Sequence, residues 1–308
     1  QFLADLADNP GATLADQLLC AEEDLGEPLV GLQTLLAELP PPPPIKVVEE
    51  DGQLLYRSTA REDTLFAAFQ EGFQVDVDPD APMGFLGDPW FNAAAWLPAL
   101  CANPEQLDSP AVLQSVSLAL TSRFGSLPWM APSLFEPLAE RLERWLLQIR
   151  QSGEGAFQWD QEDNAQLLRA GLALVVGMER GSRQHSRELA ELLLSLDEQD
   201  SLGLRELVLD QLLREGRDDE ALEISRQALE VGPADDETPL LGMYMGQVLA
   251  LYRLGQLDDA ALALESAQRH NAHAVALLCS DNPKRGATPG NGQLAEPGTR
   301  AEAWQYRL

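Results

Sequence analysis

The chain has 308 residues, and its 50 acidic side chains outnumber 21 basic ones, giving a formal net charge of −29. A hydrophobic share of 45% and a charged share of 23% are ordinary for globular proteins. They exclude wholesale disorder and fibrous classes. The length predicts about two domains.

The charge bears on the choice of partner. A sequence pI near 4.2 repels nucleic-acid phosphates and anionic lipid, so we expect neither nucleic acid nor a membrane surface as a partner. No stretch reaches the ~18 apolar residues of a membrane span. Residues 1–122 carry 20 acidic and only 3 basic side chains. Solubility is the first explanation of this excess. Attraction of a basic protein partner, and an acidic decoy that imitates a nucleic-acid backbone, are the alternatives.

The three cysteines predict a reducing compartment. Cys20, Cys101 and Cys279 are odd in number and far apart, without the paired spacing of a disulfide framework or a zinc site. We therefore expect a cytoplasmic protein with no metal and no cofactor.

Residues 1–150 form a helical N-terminal region that contains a short β element near residues 45–78. A leucine stripe predicts an amphipathic helix from about Glu27; its members are Leu29, Leu32, Leu35, Leu36 and Leu39. Pro40–Pro44 end this helix and act as a stiff spacer, with a ligand for a proline-reading domain as the alternative.

A β-hairpin follows the prolines. Asp51-Gly52 supplies the positive φ angles of a two-residue turn between strands at 45–50 and 53–57. A helix over Arg61–Gln70 and a strand over Phe73–Val77 come next. An exposed edge of this element is a candidate for strand addition by a partner.

Further helices are predicted from Ser109-Pro110 to about Phe124 and from about Pro132 to Arg150. A linker over Gly153–Trp159 leads to the C-terminal region of residues 160–308.

An internal repeat marks this C-terminal region. Arg214-Glu-Gly-Arg-Asp-Asp-Glu-Ala-Leu and Arg253-Leu-Gly-Gln-Leu-Asp-Asp-Ala-Ala are offset by 39 residues, and each glycine stands between two apolar helical patterns. Gly216 and Gly255 therefore fit left-handed turns between antiparallel helices. An earlier pair, over 163–180 and 186–196, is a degenerate third hairpin, and a period of this kind is typical of helical solenoids.

The glycine, acidic-Ala and helix-pair pattern resembles tetratricopeptide repeats, with an insertion over Val231–Pro239. Asp200–Arg205, Asn271, Asn282–Arg285 and the tail Glu296–Tyr306 also resemble a poorly characterised group of bacterial tetratricopeptide-like proteins. The resemblance covers residues 160–308. It implies a mainly α-helical repeat array that acts as an interaction module, and it carries no catalytic residues.

The resulting function prediction is a protein–protein interaction scaffold that binds a partner peptide or helix on one face of the repeats. The candidate lining residues are Arg205, Asp210, Arg214, Tyr244, Gln247 and Tyr252.

Chemical motifs are weak by comparison. Asp76, Asp78 and Asp80 alternate as in a calcium loop, but Ala81 and Gly87 stand where that loop requires Gly and Glu. The segment is therefore an acidic solvated loop.

Two of the three histidines, His270 and His273, are three residues apart, without a nearby carboxylate or cysteine in the sequence. His270 is expected to end a helix. No nucleophile elbow, P-loop or dinucleotide fingerprint occurs. We expect no enzyme, and an enzyme of unknown class that uses paired carboxylates remains an alternative.

Overall fold

The computed structural model describes residues 26–73, 90, 93–197, 199–231, 239–281 and 295–307. These residues form thirteen α-helices and one two-stranded antiparallel sheet, which confirms the mainly α fold with a small β-hairpin. The chain divides into two units, residues 1–196 and residues 197–308. None of the described helices has both the length and the apolar character needed to cross a bilayer.

The first unit contains nine of these elements in chain order. They are α1 (Gly26–Ala37), β1 (Val47–Glu50), β2 (Gln53–Tyr56), α2 (Ala60–Gly72), α3 (Ala93–Ala102), α4 (Pro110–Phe124), α5 (Glu136–Ser152), α6 (Glu162–Met178) and α7 (Arg183–Leu194). The second unit contains α8 (Leu204–Glu215), α9 (Asp218–Val231), α10 (Leu241–Arg253), α11 (Leu257–His270), α12 (Ala274–Leu278) and α13 (Arg300–Arg307).

The boundary between the two units lies after residue 196, whereas the sequence placed the start of the C-terminal region at residue 160. The helix pair α6–α7, which the sequence places with the C-terminal repeats, belongs to the first unit. There α6 packs against α4 and α5, and the Thr121 hydroxyl donates to the Ala173 carbonyl at 2.8 Å. The apolar faces of α6 are buried by these first-unit helices, so α6 and α7 are part of its core.

The β-hairpin forms as the sequence predicts. Asp51 and Gly52 have φ angles of 51° and 77°, and the strands pair from Glu50 opposite Gln53 to Val47 opposite Tyr56. The outer edge of β2 is not open to a partner strand. The Leu54 amide donates to the Ala156 carbonyl at 2.8 Å, so residue 156 of the predicted linker covers this edge.

Asn164 covers the rest of that edge from α6. This side chain is fully buried; its Oδ1 accepts from the Tyr56 amide at 2.9 Å and its Nδ2 donates to the Leu54 carbonyl at 3.0 Å. An amide side chain thus takes the place of a third strand, and β2 offers no site for strand addition.

The proline segment lies along α5. Prolines offer carbonyl acceptors and no amide donors, and α5 supplies donors from successive turns. Arg141 Nη1 donates to the Pro40 carbonyl and Trp145 Nε1 to the Pro43 carbonyl, each at 2.8 Å. Gln148 bonds the amide and the carbonyl of Ile45. The segment is therefore an anchored spacer.

Helix ends agree with the sequence within a few residues. Ser109 precedes α4, although its side chain makes no cap hydrogen bond, and a short π-helical turn over Ala131–Phe135 precedes α5. Phe73 ends α2, and the rest of the strand predicted over Phe73–Val77 lies outside the described residues.

Two helix hairpins make up most of the second unit. α8 and α9 join at Gly216 and α10 and α11 at Gly255, with φ angles of 73° and 75°, so the predicted left-handed glycines are confirmed. α10 also contacts α8 and α9. Arg253 ties the two hairpins together, because its Nη1 donates to the Leu213 carbonyl at 2.5 Å.

The absence of side chains on one face of α10 allows its close approach to α8. A Cβ at Gly242 would stand 1.6 Å from Glu206 Oε1, and one at Gly246 would stand 2.5 Å from Leu209 Cδ2. These two glycines, one turn apart, are therefore required for this packing.

The turn at Gly216 yields a stability prediction. No atom lies within 4 Å of an added Cβ there, so a substitution acts through the backbone alone. Gly216→Val should lower the free energy of unfolding by about 1–2 kcal/mol, and Gly216→Asn by clearly less, because Asn tolerates the left-handed region. Denaturant titration measures both variants. Equal losses for Val and Asn would contradict a left-handed turn.

Candidate functional site

An apolar stripe runs along α10. Leu241, Met245, Leu249 and Tyr252 follow one another at helical spacing, within about 80° of each other around the axis. Leu241 is only 1% exposed, whereas Leu249 and Tyr252 are 37% and 64% exposed. The amino-terminal half of the stripe is therefore covered and the carboxyl-terminal half is open.

The chain covers the first half itself, with α13. Trp304 and Ala303 are buried in a cluster with Leu241, and Met245 packs against that cluster. Among the described residues, the indole Nε1–H of Trp304 has no acceptor, so Trp304 contributes through its apolar area. At about 25 cal/mol per Å², a buried indole is a substantial part of what holds such a short helix.

The local sequence explains why α13 begins where it does. Gly298 has a φ of 76°, and the Thr299 hydroxyl accepts from the Glu302 amide at 3.3 Å. Thr299-x-x-Glu302 is the sequence pattern of a helix N-terminus. Here, however, the glutamate side chain does not bond to its own helix. It bonds to the start of α10, the end of α11 and the turn before α13.

Glu302 is 5% exposed and accepts four hydrogen bonds. Its Oε1 accepts from the Leu241 amide at 2.9 Å and from His270 Nε2 at 3.2 Å. Its Oε2 accepts from Asn271 Nδ2 at 2.9 Å and from the Gly298 amide at 2.7 Å. We call the three groups outside the tail, Leu241 N–H, His270 and Asn271, the carboxylate nest.

The nest explains how a carboxylate is tolerated in the interior. A buried charge needs paired, hydrogen-bonded surroundings, and the positive end of the α10 dipole adds to the four donors. A carboxylate has about four lone-pair sites, so Glu302 has no free site for a metal or a substrate proton. The arrangement holds α13 in place and does not resemble an acid–base site.

His270 and Asn271 end α11 and face the tail. Asn271 is fully buried, and its Nδ2 also donates to the Thr299 carbonyl at 2.8 Å. The His270 ring stacks on Tyr244 with centroids 4.4 Å apart. The sequence offered no carboxylate near His270, but the fold brings Glu302 to it over 32 positions.

A second carboxylate, Glu206 of α8, lies over the same end of α10. It accepts from the Gly242 amide, at the point where the missing Cβ leaves room. Burial, and then the nearby charge of Glu302, raise the pKa of Glu206 above its ordinary value, against the opposing effect of the Gly242 hydrogen bond.

Tyr306 of α13 is close enough to α8 to be affected by the charges of two of its carboxylates. Burial, followed by the charges of Glu206 and Asp210, raises the pKa of Tyr306 to about 12. The last turn of α13 therefore lies beside the acidic side of α8.

The six predicted lining residues do not form one surface. Asp210 and Arg214 are an exposed ion pair at 2.6 Å on α8. Arg205 lies about half a turn around the helix from Arg214, and its amide donates to Asp200 at 3.1 Å. Tyr252 is exposed on the stripe.

The remaining two predicted residues lie off the stripe. Tyr244 stacks on His270 and so faces the end of α11; burial raises its pKa, and the charge of Glu302 adds to the effect. Gln247 follows Tyr244 by one turn on that side of α10. Tyr244 therefore lies near α13 through His270. The charge of Asp210 reaches Tyr306 of α13, whereas Tyr252 lies on the open half of the stripe.

The residues that hold the site were not among the predicted ones. Glu302, Asn271 and Glu206 act through contacts between distant parts of the chain. The one local signal was Thr299-x-x-Glu302, which predicts a helix start and gives no indication of the nest.

The metal-ligand and histidine motifs considered in the sequence do not form a site among the described residues. Within the described ranges, no group of three His, Cys, Asp or Glu residues could hold a metal ion. The acidic loop with Asp76, Asp78 and Asp80 lies outside the described residues. His185 Nε2 bonds Glu143 at 2.8 Å between α7 and α5, a contact that links two helices of the first unit.

Comparison of the chain with protein-family models, with curated proteins and with solved structures returned no match in any of the three.

Replacing the central carboxylate tests the nest. Glu302→Gln keeps one oxygen but turns an NH2 group toward donors, so α13 should dock less tightly by about 2–3 kcal/mol. Hydrogen exchange of residues 295–307 and of the first turn of α10 should accelerate. Glu296→Gln, an exposed carboxylate on the same tail, is the matched control. Unchanged exchange in Glu302→Gln would contradict the role of the nest.

The raised pKa of Glu206 predicts a pH dependence. The folded state holds this proton more tightly than the unfolded state, so the free energy of unfolding falls as pH rises from about 4.5, its ordinary pKa, through the raised value. Asp197 and Asp200, whose pKa values burial also raises, act in the same direction.

Glu206→Gln should remove the Glu206 part of this loss. The variant should be more stable than the wild type at pH 7, and the difference should shrink as the pH falls toward 4.5. Denaturant titrations at several pH values measure it, with Glu265→Gln on the exposed side of α11 as the control. A difference that grows as the pH falls would contradict the direction of the shift.

Proposed function

We propose that residues 197–308 are a tetratricopeptide-like interaction module that binds a helix of a partner protein on the open half of the α10 stripe. The observation that carries the proposal is α13 itself. An eight-residue helix already occupies the first half of the stripe, so the surface has the shape and apolar character that a short helix needs.

The arrangement of the hairpins supports the repeat interpretation. The two glycine turns recur at the 39-residue offset of the sequence with nearly equal φ angles. α10 lies against both helices of the preceding hairpin. Stacked helix pairs of this kind expose the first helix of each pair along one face, and α8 and α10 are those first helices.

Exposed acidic side chains on α8 and α11 indicate the charge of the partner. Asp210, at the edge of α8, is about half exposed, and Asp258 and Asp259 are exposed at the start of α11. Leu249 and Tyr252 supply exposed apolar area on α10. A helix with an apolar face flanked by lysine or arginine matches this combination.

We also propose a reducing, cytoplasmic location for the module. Within the described residues, Cys101 and Cys279 are free thiols, which suits a reducing compartment. No catalytic role is proposed, because the carboxylates at the amino end of α10 accept hydrogen bonds from the protein itself.

The test is a pair of matched surface variants. Tyr252→Asp and Leu262→Asp change side chains that are 64% and 62% exposed, the first on the stripe and the second on α11 away from it. A protein retained by the wild-type chain from native lysate is identified, and its binding segment is titrated against all three chains. Tyr252→Asp should raise Kd by about tenfold or more, and Leu262→Asp by about twofold or less.

Salt distinguishes this function from the acidic decoy. Docking on α10 should weaken by less than about tenfold between low and high salt, because its flanking charges are screened beyond ~8 Å whereas its hydrophobic burial is not. Equal effects of the two variants together with a steep loss of affinity in salt would contradict docking on the stripe and favour the decoy.

A further inference from the structure

We infer that the surface beneath α13 also accepts the α13 helix of a second copy of this chain, so that two molecules can exchange their C-terminal helices. This inference goes beyond the proposed function, because it concerns the covered half of the stripe and a different occupant.

The recognition groups of the tail are contiguous in sequence. The Thr299 carbonyl, the Glu302 carboxylate and the Trp304 ring make the contacts that dock α13 on α10 and on the end of α11. Six successive residues, 299–304, therefore carry the contacts to the nest and to the apolar cluster, as in a linear peptide ligand. Every second copy of the chain presents the same pattern.

The receiving groups lie outside the tail. Leu241 N–H, His270 and Asn271 belong to α10 and to the end of α11. If α13 leaves, buried donors at the positive end of α10 lose their acceptor, which is costly. The vacated nest therefore favours another carboxylate presented on a short helix with a bulky apolar residue two positions later.

The connection to α13 is long enough for exchange. Residues 279–294, sixteen positions, separate the end of α12 from the tail that begins at Ala295, and a chain of that length spans at most about 55 Å. The tail of the same molecule competes at an effective concentration of the order of millimolar. Exchange should therefore become visible when the contact within one molecule is broken, as in other swapped dimers.

Two full-length variants can complement each other. Glu302→Gln keeps the nest and damages the helix ligand, whereas Asn271→Ala keeps the ligand and damages the nest. Neither variant can make the full contact within one molecule. In a mixture, the intact tail of Asn271→Ala can fill the intact nest of Glu302→Gln, which gives one full contact per pair of molecules. Sedimentation equilibrium of the equimolar mixture should give a dimer fraction about tenfold above that of either variant alone.

The matched control replaces Glu302→Gln by Glu296→Gln, which leaves both nest and ligand intact. Its mixture with Asn271→Ala should contain about as little dimer as the separate chains, because the intact nest is filled by its own tail. A mixture of Glu302→Gln and Asn271→Ala that remains monomeric, while hydrogen exchange shows residues 204–253 folded in both chains, overturns the inference.

A labelled peptide gives a second, independent measurement. A fluorescent peptide of residues 295–308 should bind full-length Glu302→Gln about tenfold more tightly than the wild type, whose nest is occupied. The same peptide carrying E302Q should bind neither chain. If Glu302→Gln unfolds, Trp304→Ala, which keeps the nest and removes the ring that docks α13, replaces it in both experiments, and absence of peptide binding to that folded chain overturns the inference.

Because the stripe variants leave the nest intact, the two proposals fail separately. Equal Kd values for Tyr252→Asp and Leu262→Asp would contradict the proposed function alone. Absence of helix exchange between the two variants would contradict this inference alone.

Discussion

The buried carboxylate of Glu302 is the interaction on which the second unit depends. It joins the first turn of α10, the end of α11 and the turn before α13 through four hydrogen bonds. Because about four acceptor sites are used inside the protein, its role in the structure is to position α13. The position of α13 in turn decides which half of the α10 stripe is open for a partner.

In the first unit, too, side chains on helices form hydrogen bonds with backbone groups, here those of segments that are not helical. Trp145 and Gln148 supply donors to the extended proline segment, which has few amides of its own. Asn164 bonds both the amide of Tyr56 and the carbonyl of Leu54 in place of a neighbouring strand. In each unit, polar side chains on helices satisfy backbone groups that secondary structure leaves free, as buried polar groups require.

Features set by local chemistry could be predicted from the sequence, and features set by long-range contacts could not. The Asp51-Gly52 turn and the left-handed Gly216 and Gly255 depend on a few neighbouring residues, and all three were predicted. The nest joins Leu241 to Glu302, 61 positions apart, and no periodicity marks such a pairing. The stacking of Tyr244 on His270 likewise depends on how the end of α11 packs against α10, and the sequence carried no signal for it.

The central claim is that the Glu302 carboxylate binds the backbone at two places, and the amide hydrogen exchange of Leu241 and Gly298 in the wild-type chain tests it most directly. Neither amide has a backbone acceptor in a regular helix, since one begins α10 and the other precedes α13. The account predicts that both exchange as slowly as amides in the interior of α10, because both donate to a buried carboxylate. Exchange of either amide at the rate of an unprotected peptide would contradict it.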